Sequence, residues 1–117
     1  MSEKQWRFAY VEIAPTSDLA QTAKILSDAL GVLFRFDASG NYEEFPAYVA
    51  TRGDLEYALL GVPDPKYDLR DEAERTTDYQ LVVRPIRSND PGANVDITDD
   101  VLREMALDGR LRCWRME

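Results

Sequence analysis

Histidine is missing from this chain of 117 residues, and cysteine occurs once, at Cys113. Without histidine there is no Ser-His-Asp or Cys-His arrangement for nucleophilic catalysis, and metal sites built on imidazole and thiolate are excluded with it. A lone cysteine cannot pair within the chain, and in the apolar setting of Leu111, Cys113 and Trp114 it reads as a small core residue. The six glycines stand singly, mostly at turns and caps, so no glycine-rich loop exists to cradle a phosphate. Long apolar runs are absent too: the longest, Ala29 to Phe34, is far short of the roughly 20 residues that a spanning helix needs. The first residues, MSEKQWRFAY, hold no apolar stretch of signal-peptide length. The expected compartment is the cytosol, with no membrane partner.

Positive charge is also scarce. Fourteen lysines and arginines face 22 acids, a net charge of -8, and the imbalance is concentrated in the middle of the chain. From Asp37 to Asp78 eleven acids meet four bases, whereas Met1 to Phe36 is balanced and Arg110 to Glu117 is weakly positive. Such a surface attracts cationic partners and repels nucleic acid and anionic lipid. The one basic cluster, Arg110, Arg112 and Arg115, is too short to offset this, so no direct nucleic-acid partner is expected. The apolar fraction of 44% nonetheless indicates a folded domain rather than a disordered acidic tail. The length implies a single domain, 1–117, with a core of its own.

Periodicity sets the organisation. Gln5 to Ala14 alternates, with Trp6, Phe8 and Tyr10 on one side and Arg7, Ala9, Val11 and Ile13 on the other, which predicts a strand. Asp18 with Gln21 has capping-box spacing, and Leu19, Ala23, Leu26 and Leu30 then recur at helical spacing up to Gly31. Strands follow over Val32 to Phe36, Tyr42 to Thr51, Leu55 to Val62 and Tyr79 to Arg87. Pro46 cannot donate to a ladder, so the second of these is expected at an edge or with a bulge. Pro63 to Asp78 shows no periodicity, at a length where loops tend to be functional. Ser88 to Asn94 reads as a loop, and Thr98 or Asp99 as the cap of a second helix whose inner face is Val101, Leu102, Met105 and Ala106. A last short strand holds Cys113 and Trp114. The expected fold is α+β: a mostly antiparallel sheet of about six strands with two helices, in the order β-α-β-β-β-β-α-β.

Within that frame the residues for catalysis are few. Only an all-oxygen cation site remains open, and its best candidate, Asp90, Asn94, Asp96, Thr98 and Asp99, fails the EF-hand pattern because Asp99 stands where glycine is required. A helix cap is the better reading, so no metal or other cofactor is expected. The adjacent acid pairs Glu43-Glu44, Asp71-Glu72 and Asp99-Asp100 read as solvated surface rather than as a general acid and base. The chain is expected not to be an enzyme and to have no catalytic residues.

Acids on loops and strand edges can simply maintain solubility. Here they are interleaved with Tyr42, Phe45, Tyr48, Tyr57 and Tyr67, and aromatic anchors ringed by charge are how tight protein interfaces are built. The segments Tyr42-Glu43-Glu44-Phe45-Pro46-Ala47-Tyr48 and Leu59-Leu60-Gly61-Val62-Pro63-Asp64-Pro65, with the acidic run after them, resemble the immunity proteins of bacterial polymorphic toxin systems, including contact-dependent growth inhibition. The resemblance implies an inhibitor that binds one cognate toxin domain, often a basic nuclease, by plugging its active site or covering an adjacent exosite. The partner-facing residues are then expected to be Glu43, Glu44, Asp64, Tyr67, Asp68, Asp71, Glu72 and Glu74, with Asp54, Glu56 and Asp78 behind them. Two alternatives stay open: an acidic nucleic-acid mimic that inhibits a DNA-binding protein, and a small-ligand or regulatory module. The second would use a pocket between helix and sheet near Trp6, Phe34, Phe36 and Trp114, residues that core packing also explains. Pairing of two copies through an edge strand is a further possibility.

Overall fold

The alternation at the start of the chain becomes an interior strand, paired on both sides, of a seven-stranded sheet. In a computed structural model, which describes residues 5–38, 42, 45–63, 66, 70, 77–86 and 93–116, β1 (Gln5–Ile13) is followed by α1 (Leu19–Leu30). Then come β2 (Arg35–Phe36), β3 (Ala47–Arg52), β4 (Leu55–Leu60), β5 (Tyr79–Pro85), β6 (Ala93–Asp96), α2 (Thr98–Asp108) and β7 (Cys113–Arg115). The strands lie in the order β2-β3-β4-β5-β1-β6, and β7 also pairs with β1. Pairing is antiparallel except for β1 with β6. β6 takes the first half of one side of β1 (Gln5 opposite Ala93) and β7 takes the second half (Ile13 opposite Cys113), so α2 crosses between them. The fold is α+β, as expected.

One face of the sheet is buried beneath both helices. Ala9, Val11 and Ile13 on β1 lie opposite Val83, Leu81 and Tyr79 on β5, and Leu55, Tyr57 and Leu59 continue the same face on β4. Ile25, Leu26 and Leu30 from α1, with Val101 and Met105 from α2, complete this core. Side chains of this kind contribute roughly 1.5–3 kcal/mol each when fully buried. The helix ends follow local chemistry. Asp18 accepts a bond from the Gln21 N–H at 2.7 Å, and Gly31 closes α1 at φ 66°, a left-handed conformation that costs glycine little.

Several boundaries differ from the sequence reading. The sheet has seven strands rather than six, because β6 replaces part of the expected loop; its four residues are too few to show a period against the preceding proline and glycine. β2 has only two residues, since the chain after α1 is held by the Ser27 hydroxyl, which accepts a bond from the Phe34 N–H at 3.1 Å. β3 is neither an edge nor bulged at Pro46: it begins one residue later and runs between β2 and β4, and Pro46 contributes only its carbonyl, which accepts from the Gly61 N–H at 2.8 Å. Neither Thr98 nor Asp99 caps α2. Ile97 occupies the cap position, and Thr98 is buried, accepting a bond from the Tyr10 N–H at 3.2 Å and donating to Asp96. Cross-linking β1 to the helix outweighs capping here. Among the described residues, no helix is long and apolar enough to cross a membrane.

Candidate partner-binding face

The face of the sheet turned away from the helices carries the residues that alternate with the core: Trp6, Phe8, Tyr10 and Glu12 on β1, Gln80, Val82 and Arg84 on β5, and Glu56, Ala58 and Leu60 on β4. One half of this outer face is covered. Ala47, Ala58 and Leu60 are buried there, with Tyr42, Phe45 and Val82 packed against them. At Tyr42 and Phe45 the connection between β2 and β3 lies over the sheet as a strap.

Tyr42 fastens the strap. Its hydroxyl donates to Glu56 Oε1 and accepts from Arg84 Nη2 at 3.0 Å, and the same Arg84 nitrogen bonds Glu56 Oε1 at 3.2 Å. The Arg84 guanidinium also stacks 5.3 Å from the centre of the Tyr42 ring. Burial, and then the neighbouring Glu56, push the Tyr42 phenol up to about 12. Phe45 is held by its ring among the apolar side chains and by an N–H bond to the Tyr42 carbonyl at 3.1 Å. Arg70, from the long connection between β4 and β5, places its guanidinium 5.5 Å from the Phe45 ring centre. Gly61, at the root of that connection, allows the close approach: a Cβ there would stand 2.7 Å from Leu19 Cδ2 and 3.0 Å from Pro46 Cγ.

The topology sends both acidic connections out from one end of the sheet. β2 ends opposite Tyr48 and β3 begins opposite Leu60, so the β2–β3 connection leaves and returns beside the end of β4, where the β4–β5 connection starts. The expected partner-facing residues Glu43, Glu44, Asp64, Tyr67, Asp68, Asp71, Glu72 and Glu74 lie outside the described residues, within these two connections. Their roots are brought together. Of the supporting acids, Asp78, directly before β5, stays at the root of the second connection, but Asp54 pairs with Arg7 at 3.1 Å at the opposite end of the sheet, and Glu56 is taken up by Tyr42 and Arg84. Of the tyrosines expected as anchors, Tyr57 is wholly buried beneath the helices, and Tyr48, on that same face, is half-buried.

Charge is partitioned in the same way. The two connections, Asp37 to Pro46 and Gly61 to Asp78, hold nine acids and three bases, whereas the rest of the chain holds thirteen acids and eleven bases. Most framework arginines are matched: Arg52 to Glu104, Arg84 to Glu56, Arg103 to Asp100, Arg110 to Asp28 and Asp108, and Arg115 to Asp96 and Asp99. Asp96 and Asp99, candidates for an oxygen-ligand set, are engaged here. Asp96 accepts from Thr98 and Arg115, which hold its carboxyl below the usual range, Thr98 contributing most.

The other half of the outer face is more exposed among the described residues. Tyr10 is 45% exposed and Trp114, on the neighbouring β7, is 42% exposed, with Phe8 stacked at 5.8 Å from Tyr10. The expected pocket of Trp6, Phe34, Phe36 and Trp114 does not form. Phe34 enters the helix-side core, Phe36 is 61% exposed at the far edge, and Trp114 faces the side without helices. Two-residue alternation in Trp6-Arg7-Phe8-Ala9-Tyr10 carried the signal for this row, since small Ala9 marks the packed side.

A concavity of about 670 Å³ lies at the end of the sheet near Gly53, lined by Arg7, Arg52, Asp54, Asp100 and Glu104 among others. Arg52 is held there by the Leu30 carbonyl and the Tyr57 hydroxyl, both at 2.8 Å, and by both oxygens of Glu104. Burial works against the Arg52 charge, but Glu104 and Tyr57 outweigh it and keep the guanidinium protonated. These bonds tie α1, α2 and β4 together. No protein-family model matches the chain, and neither does any curated protein or solved structure.

Proposed function

We propose that this chain is an immunity-type inhibitor that binds and neutralises a cognate basic toxin domain, such as a nuclease. The observation that supports the reading most directly is the segregation of charge. Acids distributed for solubility would be spread over the whole surface, but here a framework of almost balanced charge carries a net of -6, out of -8 for the chain, on two connections rooted at one end. Concentrated negative charge speeds encounter with a basic partner and suppresses wrong ones. The acidic segments would stand in for the phosphates of the toxin's substrate.

The test is capture of the tagged protein's partners at low salt, elution by rising salt and identification by mass spectrometry. The expected product is one basic protein, toxic when expressed alone and harmless when co-expressed with this chain. Recovery of a DNA-binding protein without toxicity would favour a nucleic-acid mimic instead. Reversal of charge at Asp68, Asp71 and Glu72 is expected to weaken capture and leave the melting temperature nearly unchanged; undiminished affinity in that triple variant would remove the acidic surface from the interface.

A further inference from the structure

We propose that the concavity beside Gly53 binds a free α-amino acid with a large aliphatic or aromatic side chain, its carboxylate on Arg7, its ammonium on Asp54 and its side chain over the base of the cavity. The site lies at the end of the sheet opposite the roots of the acidic connections, and it goes beyond the function proposed above. Its volume of about 670 Å³ is in the range of small-molecule sites. The base is apolar. Leu55, Tyr57 and Val101 are buried there, and Val95 and Ile97 are half-buried beside them. An apolar group laid on this base is stabilised in proportion to the area it removes from water.

The walls carry both signs of charge. Arg52 is spent on Leu30, Tyr57 and Glu104, so it shapes the site without being open to a ligand. Arg7 differs. It reaches the site from β1, opposite Val95 on β6, and gives one N–H to Asp54 Oδ1 at 3.1 Å. Among the described residues its remaining N–H donors have no acceptor, and Asp54 Oδ2 has no donor. The two side chains are 45% and 65% exposed, so their pair contributes little by itself and can open to admit a ligand. A guanidinium takes a carboxylate through two parallel N–H bonds. An α-amino acid carries its carboxylate and ammonium on one carbon, the same adjacency of opposite charges that Arg7 and Asp54 present. Charge disfavours other ligands. A polyanion would meet Asp54, Asp100 and Glu104 in the same lining, and a simple organic cation would meet Arg7 and Arg52. Among the described residues no group of three acids is placed to hold a metal ion. A zwitterion with an apolar side chain matches the walls and the base together.

The probes are L-leucine and L-phenylalanine, titrated near neutral pH into the isotope-labelled whole protein and followed by amide chemical shifts. Saturable shifts are expected at Arg7, Gly53, Asp54 and Ile97 with at least one of the two. N-acetyl-leucine lacks the ammonium, leucinamide lacks the carboxylate and free glycine lacks the side chain; each should bind at least roughly tenfold more weakly than leucine. Arg7→Gln should weaken leucine binding by roughly tenfold and leave the melting temperature nearly unchanged, because its pair with Asp54 is exposed. Asp54→Asn should remove the preference for leucine over N-acetyl-leucine, an effect that a merely structural role of Asp54 would not produce. Arg35→Gln, exposed on β2 at the far edge of the sheet, should change nothing. Absence of saturable shifts with both amino acids would overturn the proposal. So would N-acetyl-leucine, leucinamide or free glycine binding as tightly as leucine, or leucine binding unaltered by Arg7→Gln.

Discussion

On the helix face of the sheet, Tyr57, Leu59, Leu81 and Val83 are closed over by α1 and α2, and Arg52 bridges the elements at the rim. On the outer face, among the described residues, full burial extends only to Ala47, Ala58 and Leu60 beneath one strap, while Trp6, Phe8, Glu12 and Gln80 are half-buried and Tyr10 and Trp114 are exposed. The same strands supply both faces, so each strand residue has a neighbour serving the opposite role. The difference separates stability from recognition: substitutions on the helix face act on the whole fold, while those on the outer face can change what the surface meets without unfolding it.

The largest expected effect therefore lies on the helix side. Leu59→Ala removes a fully buried side chain from the centre of the sheet and should lower stability by about 2–5 kcal/mol, read from urea unfolding. An equal loss from Tyr10→Ser, which stands partly in water, would erase the distinction between the faces. Next is Arg52→Ala. It takes the donor from the Leu30 carbonyl and the buried Tyr57 hydroxyl and should cost about 1–3 kcal/mol. Arg52→Lys should recover little of this, because an ammonium cannot reproduce the planar fork shared among Leu30, Tyr57 and Glu104.

The helix face was legible in the sequence because its signal is periodic. Ala9, Val11 and Ile13 recur every second residue, and Leu26 and Leu30 at helical spacing, and the structure buries all five. Arg52 falls between two of the expected strands and carries no periodic signal of its own. Its partners Leu30, Tyr57 and Glu104 lie on three elements brought together by tertiary packing, which no local pattern encodes. The strap was half legible. Tyr42 and Phe45 stood out as aromatics among acids, but their places against Glu56, Arg84 and Ala58 depend on the register between β4 and β5. Asp54 and Glu56 were grouped with the acidic middle because they are close in sequence, whereas the sheet pairs them with Arg7 and Arg84.

The strap supplies a smaller and more specific effect. Tyr42→Phe keeps the ring and removes the bonds to Glu56 and Arg84, with an expected loss of about 1 kcal/mol. Its pH dependence identifies the group. The folded phenol is raised from 10 to about 12, so the folded state holds this proton more tightly; the stabilisation is complete below pH 10 and falls as pH rises toward 12. In Tyr42→Phe that alkaline decline should shrink, and the tyrosinate absorbance should lose its highest-pH component. An unchanged alkaline limb would mean that Tyr42 does not fasten the strap.

The smallest effect falls on the seat of the row of Phe8, Tyr10 and Trp114. Asp96 joins Thr98, which holds the Tyr10 N–H, to Arg115, the neighbour of Trp114 on β7. Its carboxyl titrates below the usual range in the folded state, chiefly because of Thr98, so it contributes stability above the unfolded carboxylate value of about 3.9 and loses it as pH falls through the lower folded value. Because the linkage runs through β6, the start of α2 and β7 rather than through the main core, acidification should loosen the row before the core. In a Trp6→Phe background, Trp114 fluorescence should change at a higher pH than the loss of helical circular dichroism, and Asp96→Asn should bring the two transitions together. Coincident transitions in the parent would mean that the row melts only with the helix face, and that stability and recognition are not separable at that edge of the sheet.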